Sequence, residues 1–273
     1  MNGTGILSKK EEFTPLMGTL PQILAMQASR YGRSGAAIRE KAYGIWQTFS
    51  WEDYLRYVKH TALGLLAIGF CRGDRAGLIT GNHPEWLFAE LGAQAVGGIT
   101  LNLFTSAVAD EISASLKRIR TAVVFAQDQE QVDKLIAVRD RIDHVRRVIY
   151  IDPTGMDAQR EDPWLLSFAE LLSKGEELDR TRPDLFTTEM QLGRADETAL
   201  MIQTSGTTGL PKMACLSHGN LTAIGEGWIQ AVSIRAGENW ISISPPAWIV
   251  DQMWGLGVAL LAGMTMNFPE TPE

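Results

Sequence analysis

The residues best suited to chemistry stand together in one short segment, Gln203-Thr-Ser-Gly-Thr-Thr-Gly-Leu-Pro-Lys212. Its hydroxyl groups, the free backbone N–H groups near its two glycines and the single ammonium group of Lys212 are what a polyphosphate requires. A Ser or Thr hydroxyl in such a loop also reaches a magnesium ion bound to the phosphates. We interpret the segment as a phosphate-binding loop; the alternative is a flexible surface turn with one solvated lysine.

The spacing of the glycines differs from that of a Walker A loop. Walker A has four residues between its glycines and then Gly-Lys-Ser/Thr. Here two residues separate Gly206 from Gly209, and Leu210-Pro211 precedes the lysine. The segment therefore predicts phosphate binding through a different loop.

This segment, followed by Leu216-Ser217-His218, resembles the signature loop of the adenylate-forming superfamily, which holds acyl-CoA synthetases, luciferases and peptide-synthetase adenylation domains. Met213 departs from the family pattern, which usually has Gly after the lysine. The resemblance implies ATP, Mg²⁺ and CoA as ligands, with Lys212 catalytic and Thr207 on the metal. The phosphate-binding residues that it implies are Thr204, Ser205, Gly206, Thr207, Thr208, Gly209 and Lys212.

A second segment, Pro245-Pro-Ala-Trp-Ile-Val-Asp-Gln252, resembles the next family motif in its long-chain acyl-CoA synthetase form, Leu-Pro-Leu-Ala-(His/Trp). The resemblance implies that Trp248 binds substrate, as the wall or gate of a fatty-acid channel. The alternative is a core tryptophan after a strand. Asp251 is a candidate partner for a substrate ammonium group if the acid is an amino acid.

These resemblances predict the N-terminal part of an ATP-dependent fatty acyl-CoA synthetase. Two alternatives stay open: an adenylating enzyme for an aryl or amino acid, and a catalytically dead scaffold module. The family's later motifs, Tyr-Gly-x-Thr-Glu and Thr-Gly-Asp, have no counterpart in the chain. We therefore expect a fragment that is inactive by itself.

The elements that position these segments alternate between strands and helices. The apolar run Ala199–Ile202 predicts a buried strand before the loop, and Ser217 is a candidate cap for a helix over 218–232, which favours a structural role for His218. The alternation predicts an α/β fold with doubly wound, mostly parallel sheets and flanking helices. We expect a segment 1–71 that packs with the later subdomain, a subdomain 72–233, and the start of a second subdomain at 234–273. The charged region 152–196 reads as a surface connection.

Composition and charge narrow the class of protein. With 45% hydrophobic and 21% charged residues, the 273-residue chain is typical of a soluble globular protein. A net charge of −7 argues against broad nucleic-acid binding. The family resemblance implies small-molecule substrates, a fatty acid, ATP and CoA, as the partners.

Several features predict a cytoplasmic location. Residues 1–19 lack the apolar core of a signal peptide, and the longest apolar stretches are too short to span a bilayer. Cys71 and Cys215 have no metal-ligand spacing, and we expect them to be buried thiols in a reducing compartment. Peripheral membrane contact and homo-oligomer formation stay open.

Overall fold

The computed structural model of the chain describes residues 17–159, 161–204 and 212–270. Within these residues the strands form a seven-stranded sheet and a four-stranded sheet. In chain order the strands are β1 (Ala36–Ala42), β2 (Ile45–Ser50), β3 (Arg75–Ile79), β4 (Ile99–Leu103), β5 (Val123–Ala126), β6 (Arg147–Tyr150), β7 (Leu165–Ser167), β8 (Thr198–Thr204), β9 (Lys212–Ser217), β10 (Asn239–Ile241) and β11 (Thr265–Phe268).

The seven-stranded sheet has the order β7-β6-β5-β3-β4-β8-β9. All neighbouring strands from β7 to β8 run parallel, and β9 is antiparallel to β8. The prediction of a mostly parallel sheet is confirmed.

The helices flank the sheets. They are α1 (Leu20–Tyr31), α2 (Trp51–Ala67), α3 (Pro84–Ala95), α4 (Ala109–Ile119), α5 (Gln129–Ile136), α6 (Phe168–Thr181), α7 (Leu185–Gln191), α8 (His218–Val232), α9 (Ile249–Asp251), a π-helix (Gln252–Ala259) and α10 (Leu260–Ala262). Capping boxes at Ser50 and Ser217 start α2 and α8. Each cap satisfies backbone N–H groups that the first helical turn leaves without a partner.

Apolar side chains on both faces of the large sheet explain why it is doubly wound. Val124 belongs to a buried cluster with Leu116 of α4 and Leu135 of α5. Its neighbour Phe125 points to the opposite face and meets the ring of Phe168 in α6, with 6.3 Å between ring centroids. Because successive strand residues face opposite sides, a strand covered on both faces must be apolar throughout.

The four-stranded sheet joins distant parts of the chain in the order β10-β11-β1-β2. Strand β1 pairs in parallel with β11 and antiparallel with β2. The N-terminal hairpin thus lies beside the last strands, whereas α2, which follows it, packs mainly against α3 and α6. The domain boundaries that the sequence suggested stay a prediction.

Helices α2 and α6 approach very closely, and glycine makes this approach feasible. A Cβ atom at Gly175 would lie 1.9 Å from the carbonyl oxygen of His60, and one at Gly64 would lie 2.3 Å from that of Leu171. No larger residue fits at either position without displacing backbone.

The structure corrects three expectations from the sequence. Region 152–196 is more than a surface connection, because it supplies edge strand β7 and two packed helices, α6 and α7. The apolar sequence from Trp254 to Leu261 predicts a helix, and in the structure most of this stretch lies in the π-helix. Cys71 and Cys215 are exposed rather than buried, because Cys71 lies in the turn before β3 and Cys215 on edge strand β9.

Candidate functional site

The two ends of the predicted phosphate loop are held together by a strand pair. Thr204, the last residue of β8, pairs with Lys212, the first residue of β9. The Thr204 hydroxyl donates a hydrogen bond to the Lys212 carbonyl oxygen at 3.3 Å. Both residues are exposed, so a hydroxyl and an ammonium group face solvent where the loop begins and ends. The other predicted phosphate-binding residues, Ser205, Gly206, Thr207, Thr208 and Gly209, lie outside the described residues.

A small cavity of about 150 Å³ lies beside this hairpin, at the carboxyl ends of β4 and β8. Gln203 on β8 and Ser115 on α4 form part of its lining, and the Gln203 amide donates to the Ser115 hydroxyl at 2.5 Å. Leu103, Phe104 and Ser106 complete the same edge. The carboxyl end of a parallel sheet is the usual place for ligand contacts in α/β folds.

His218, which follows the hairpin, is a structural residue. It is buried at the start of α8, and its Nδ1 accepts a hydrogen bond from the backbone N–H of Leu20 at 3.2 Å. Burial lowers the pKa of His218 to about 4. The imidazole is therefore neutral near pH 7 and joins the start of α1 to the start of α8.

Helix α8 presents an apolar stripe to solvent. Ile224, Trp228 and Val232 are spaced four residues apart and are all exposed. The Trp228 ring lies 5.5 Å from that of Trp254 in the π-helix, and Trp254 stacks on Trp240 at 4.7 Å. Together these side chains form an aromatic surface that joins α8, which directly follows the phosphate-loop hairpin, to the π-helix.

Trp248 lies on a tight turn next to this helical region. Its backbone N–H donates to the Pro245 carbonyl oxygen at 2.9 Å, and 55% of the residue is exposed. The core-tryptophan alternative is therefore wrong. The role of Trp248 as a wall or gate for an acyl chain stays a prediction.

Asp251 is buried and already has partners. It accepts hydrogen bonds from the Asn82 amide at 2.8 Å, from the Trp240 indole at 3.4 Å and from the Ser242 hydroxyl. Burial raises the pKa of Asp251. With three donors on its oxygens and no exposed surface, this carboxyl group is poorly placed to receive a substrate ammonium group.

Glu90 is a second buried carboxyl group, and the sequence reading did not single it out. It lies on α3 with no exposed surface and accepts hydrogen bonds from the Trp86 indole at 2.5 Å and the Thr100 hydroxyl at 2.7 Å. The signal for it was an acid within the otherwise apolar run Trp86–Leu91. Charged residues are almost never fully buried without partners, so such an acid predicts a polar network.

No group of three His, Cys, Asp or Glu side chains suited to a metal ion occurs in the described part of the chain. The predicted magnesium ligand, Thr207, lies outside it. Among residues 17–159, 161–204 and 212–270, no helix is long and apolar enough to cross a membrane.

Comparison with known proteins defines the class of protein to which this fold and this loop belong. The family model described as "AMP-binding enzyme" matches residues 24–273. The chain therefore belongs to the AMP-binding enzyme family, the adenylate-forming enzymes.

Among curated proteins, the chain is similar to the long-chain-fatty-acid–CoA ligase heimdall of Drosophila melanogaster, with 27% identity over 92% of this chain and 37% of that protein. It is also similar to the long-chain-fatty-acid–CoA ligase ACSBG2 of Xenopus laevis, with 24% identity over 92% of this chain and 34% of that protein. The chain thus spans little more than a third of the length of these relatives.

Solved structures share the fold at lower identity. The anthranilate CoA ligase AuaEII matches with a TM-score of 0.79 and 17% identity, over 94% of this chain and 46% of that protein. VinN in complex with 3-methylaspartate matches with a TM-score of 0.71 and 17% identity, over 93% and 62% of the two chains. A fatty acyl CoA synthetase of Mycobacterium tuberculosis matches with a TM-score of 0.70 and 16% identity, over 93% and 45%.

Proposed function

We propose that the chain is the N-terminal part of an ATP-dependent fatty acyl-CoA synthetase. Such an enzyme converts a carboxylate and ATP to acyl-AMP and pyrophosphate, and then transfers the acyl group to CoA. The observation that carries the proposal is that the phosphate-loop hairpin continues directly into α8, whose exposed side is apolar. A polyphosphate and an acyl chain would meet along one continuous segment.

Lys212 has the central role in the first half-reaction. When bound, ATP supplies an electrophilic phosphorus, and the attack of a carboxylate on it brings two anions together. The exposed ammonium group of Lys212 offsets this repulsion, while the Thr204–Lys212 pair keeps both ends of the loop in register. Preorganised positive charge of this kind is often a large contribution to catalysis. Thr207 remains our proposed magnesium ligand.

The acyl chain would lie against the aromatic surface of α8 and the π-helix. Trp228 and Trp254 offer broad apolar faces, and Trp248 stands exposed on the neighbouring turn. Each methylene group buried there would contribute about 0.8 kcal/mol of binding free energy. A fatty acid therefore gains affinity with chain length, which a short aryl acid does not.

The burial of Asp251 disfavours an amino acid as the substrate. A substrate ammonium group would have to displace the Asn82, Ser242 and Trp240 donors from the carboxyl group. Two of the structural matches, an anthranilate CoA ligase and VinN in complex with 3-methylaspartate, bind an aryl acid or an amino acid, and those ligands are known only for those proteins.

The experiment extends the reading frame past Glu273 and measures acid-dependent ATP–pyrophosphate exchange in the encoded protein. Saturated fatty acids of increasing length are compared with benzoate, anthranilate and free amino acids. We expect kcat/KM to rise with chain length. A frame that ends at Glu273 without the later motifs supports the scaffold alternative, and a preference for anthranilate or an amino acid contradicts the fatty-acid assignment.

A matched pair of variants locates the acyl site. Trp228→Ala removes an aromatic ring from the proposed acyl surface, whereas Trp46→Ala removes an exposed ring from hairpin strand β2. Trp228→Ala should weaken the dependence on chain length, and Trp46→Ala should leave it unchanged. Equal effects of the two substitutions would place the acyl chain elsewhere.

A further inference from the structure

The turn that carries Trp248 is tied to the buried carboxyl group of Glu90 through one side chain. Gln252, the first residue of the π-helix, donates from its Nε2 to Glu90 Oε2 at 3.1 Å and to the Pro246 carbonyl oxygen at 2.8 Å. Pro246 lies within the turn that Trp248 closes by donating to Pro245. A single buried amide thus connects the core of α3 to the exposed tryptophan.

Glu90 is a rigid anchor for this connection. Its Oε2 also accepts from the Trp86 indole at 2.5 Å and from the Asn102 amide at 3.0 Å, and its Oε1 accepts from the Thr100 hydroxyl at 2.7 Å. The donors come from buried helix α3 and from β4, an inner strand of the seven-stranded sheet. Hydrogen bonds to a carboxyl group in such surroundings are strong, and a break in the network leaves a buried polar group without a partner.

We propose that Gln252, anchored by Glu90, is a positioning residue that sets the location of Trp248 and so the length of acyl chain that the site accepts. The second part of this inference rests on the proposed function; the first part does not. Gln252 does not touch the substrate in this account. It acts through the Pro246 carbonyl and the turn.

The neighbourhood offers a control that separates positioning from general stability. Gln94 belongs to the same buried network, with its Nε2 at 3.5 Å from Glu90, 3.3 Å from Thr100 and 3.4 Å from the Ala199 carbonyl oxygen. It has no hydrogen bond to the turn in the described structure. Gln94→Met and Gln252→Met therefore remove the same chemical group from one network, and only the second cuts the link to Trp248.

Glu90→Gln is the conservative variant. Its new carbonyl oxygen still accepts from Gln252, and its new amide group donates to Thr100. Gln94 Nε2, which lies 3.5 Å from Glu90 Oε1, keeps its other two acceptors, the Thr100 hydroxyl and the Ala199 carbonyl oxygen. Glu90→Gln should therefore retain the position of Trp248.

The experiment is fluorine NMR of the 273-residue chain labelled with fluorotryptophan, with Trp248→Phe used to assign the Trp248 resonance. We expect Gln252→Met to shift or broaden that resonance, and Gln94→Met and Glu90→Gln to leave it in place. An unchanged Trp248 resonance in folded Gln252→Met overturns the proposal. So does the same shift in Gln94→Met.

Hydrogen exchange of the unsubstituted chain decides the case in which Gln252→Met does not fold. The positioning role requires that the Trp248 amide be protected like the amides of the π-helix, and exchange at the rate of an unstructured turn overturns it. Titration with a long-chain fatty acid tests the proposed function separately. If no acid moves the Trp248 resonance, the acyl site is contradicted, while the positioning role is still judged on the three variants.

Discussion

At the scale of single residues, His218 links the site to the N-terminal helix and makes stability depend on pH. Its pKa is about 4 in the fold and 6.5 as an ordinary value, because burial disfavours the charged imidazolium. Well above pH 6.5 both states are neutral and the stability is fully present. As the pH falls from 6.5 towards 4, the unfolded state binds a proton that the folded state does not, so stability is lost.

We predict that this single group costs the wild type about 2 kcal/mol of unfolding free energy between pH 7 and pH 5. Urea unfolding of the wild type and of His218→Gln at pH 7 and at pH 5 measures this loss. The other titrating groups contribute equally to both proteins, so their effects cancel when the two pH dependences are subtracted. A variant with the same pH dependence as the wild type would show that His218 does not carry the effect.

Some properties of single residues could be predicted from the sequence and others could not. The types and spacing of residues 203–212 were sufficient to suggest phosphate binding, since that chemistry is local. The partners of Asp251 and Glu90 were not predictable, because Asn82 and Ser242 reach Asp251 from two different loops, and Gln252 reaches Glu90 across 162 residues of sequence. The protonation state of a carboxyl group depends on its burial by distant segments, and a local stretch of sequence does not show which segments will cover it.

At the scale of elements, α8 meets the π-helix through glycine. A Cβ atom at Gly225 would lie 2.5 Å from Leu261 Cδ1 and 3.1 Å from the backbone of Gly257. Two residues further on, Gly227 has no heavy atom near its Cβ position. Gly225 and Gly227, both in α8, therefore differ in what they face.

This contrast predicts opposite effects of one substitution. Gly225→Ala should destabilise the fold by about 1–3 kcal/mol through overpacking. Gly227→Ala should stabilise it by about 0.5–1 kcal/mol, because alanine is the better helix former at an exposed site. Denaturant unfolding of both variants measures the difference, and destabilisation of equal size at the two sites would contradict the packing of α8 on the π-helix.

Sequence patterns predicted the elements with strong local signals and missed those set by packing. Helix α8 was predicted from its cap at Ser217. Strand β9 was missed because Lys212–Ser217 has little alternation of its own and forms as the antiparallel partner of β8. Strand β7 is three residues long and gains its order from pairing with β6.

At the scale of the whole molecule, the chain spans little more than a third of the length of its curated relatives. We therefore consider the activity that this part would have by itself. We predict no ligase activity and at best weak affinity for Mg·ATP from these 273 residues. Binding costs the ligand its translational and rotational freedom, and the phosphate contacts of one loop would offset little of that cost.

Calorimetry with Mg·ATP and an acyl-CoA formation assay on the purified chain measure this prediction. Micromolar binding or turnover would show that residues of this chain supply adenine, ribose or metal contacts that its motifs do not reveal. Sedimentation of the same sample reports whether the chain self-associates, which the sequence left open.

The most direct measurement of the central claim is ATP–pyrophosphate exchange by the extended protein with Lys212→Ala. Loss of one preorganised charge on the phosphates should lower the exchange rate on the order of 10²-fold. The melting temperature should stay unchanged, since Lys212 is exposed. Lys174→Ala, which removes an exposed lysine from α6, is the control and should exchange at the wild-type rate. Exchange by Lys212→Ala at the wild-type rate would contradict the assignment of this loop as the phosphate site.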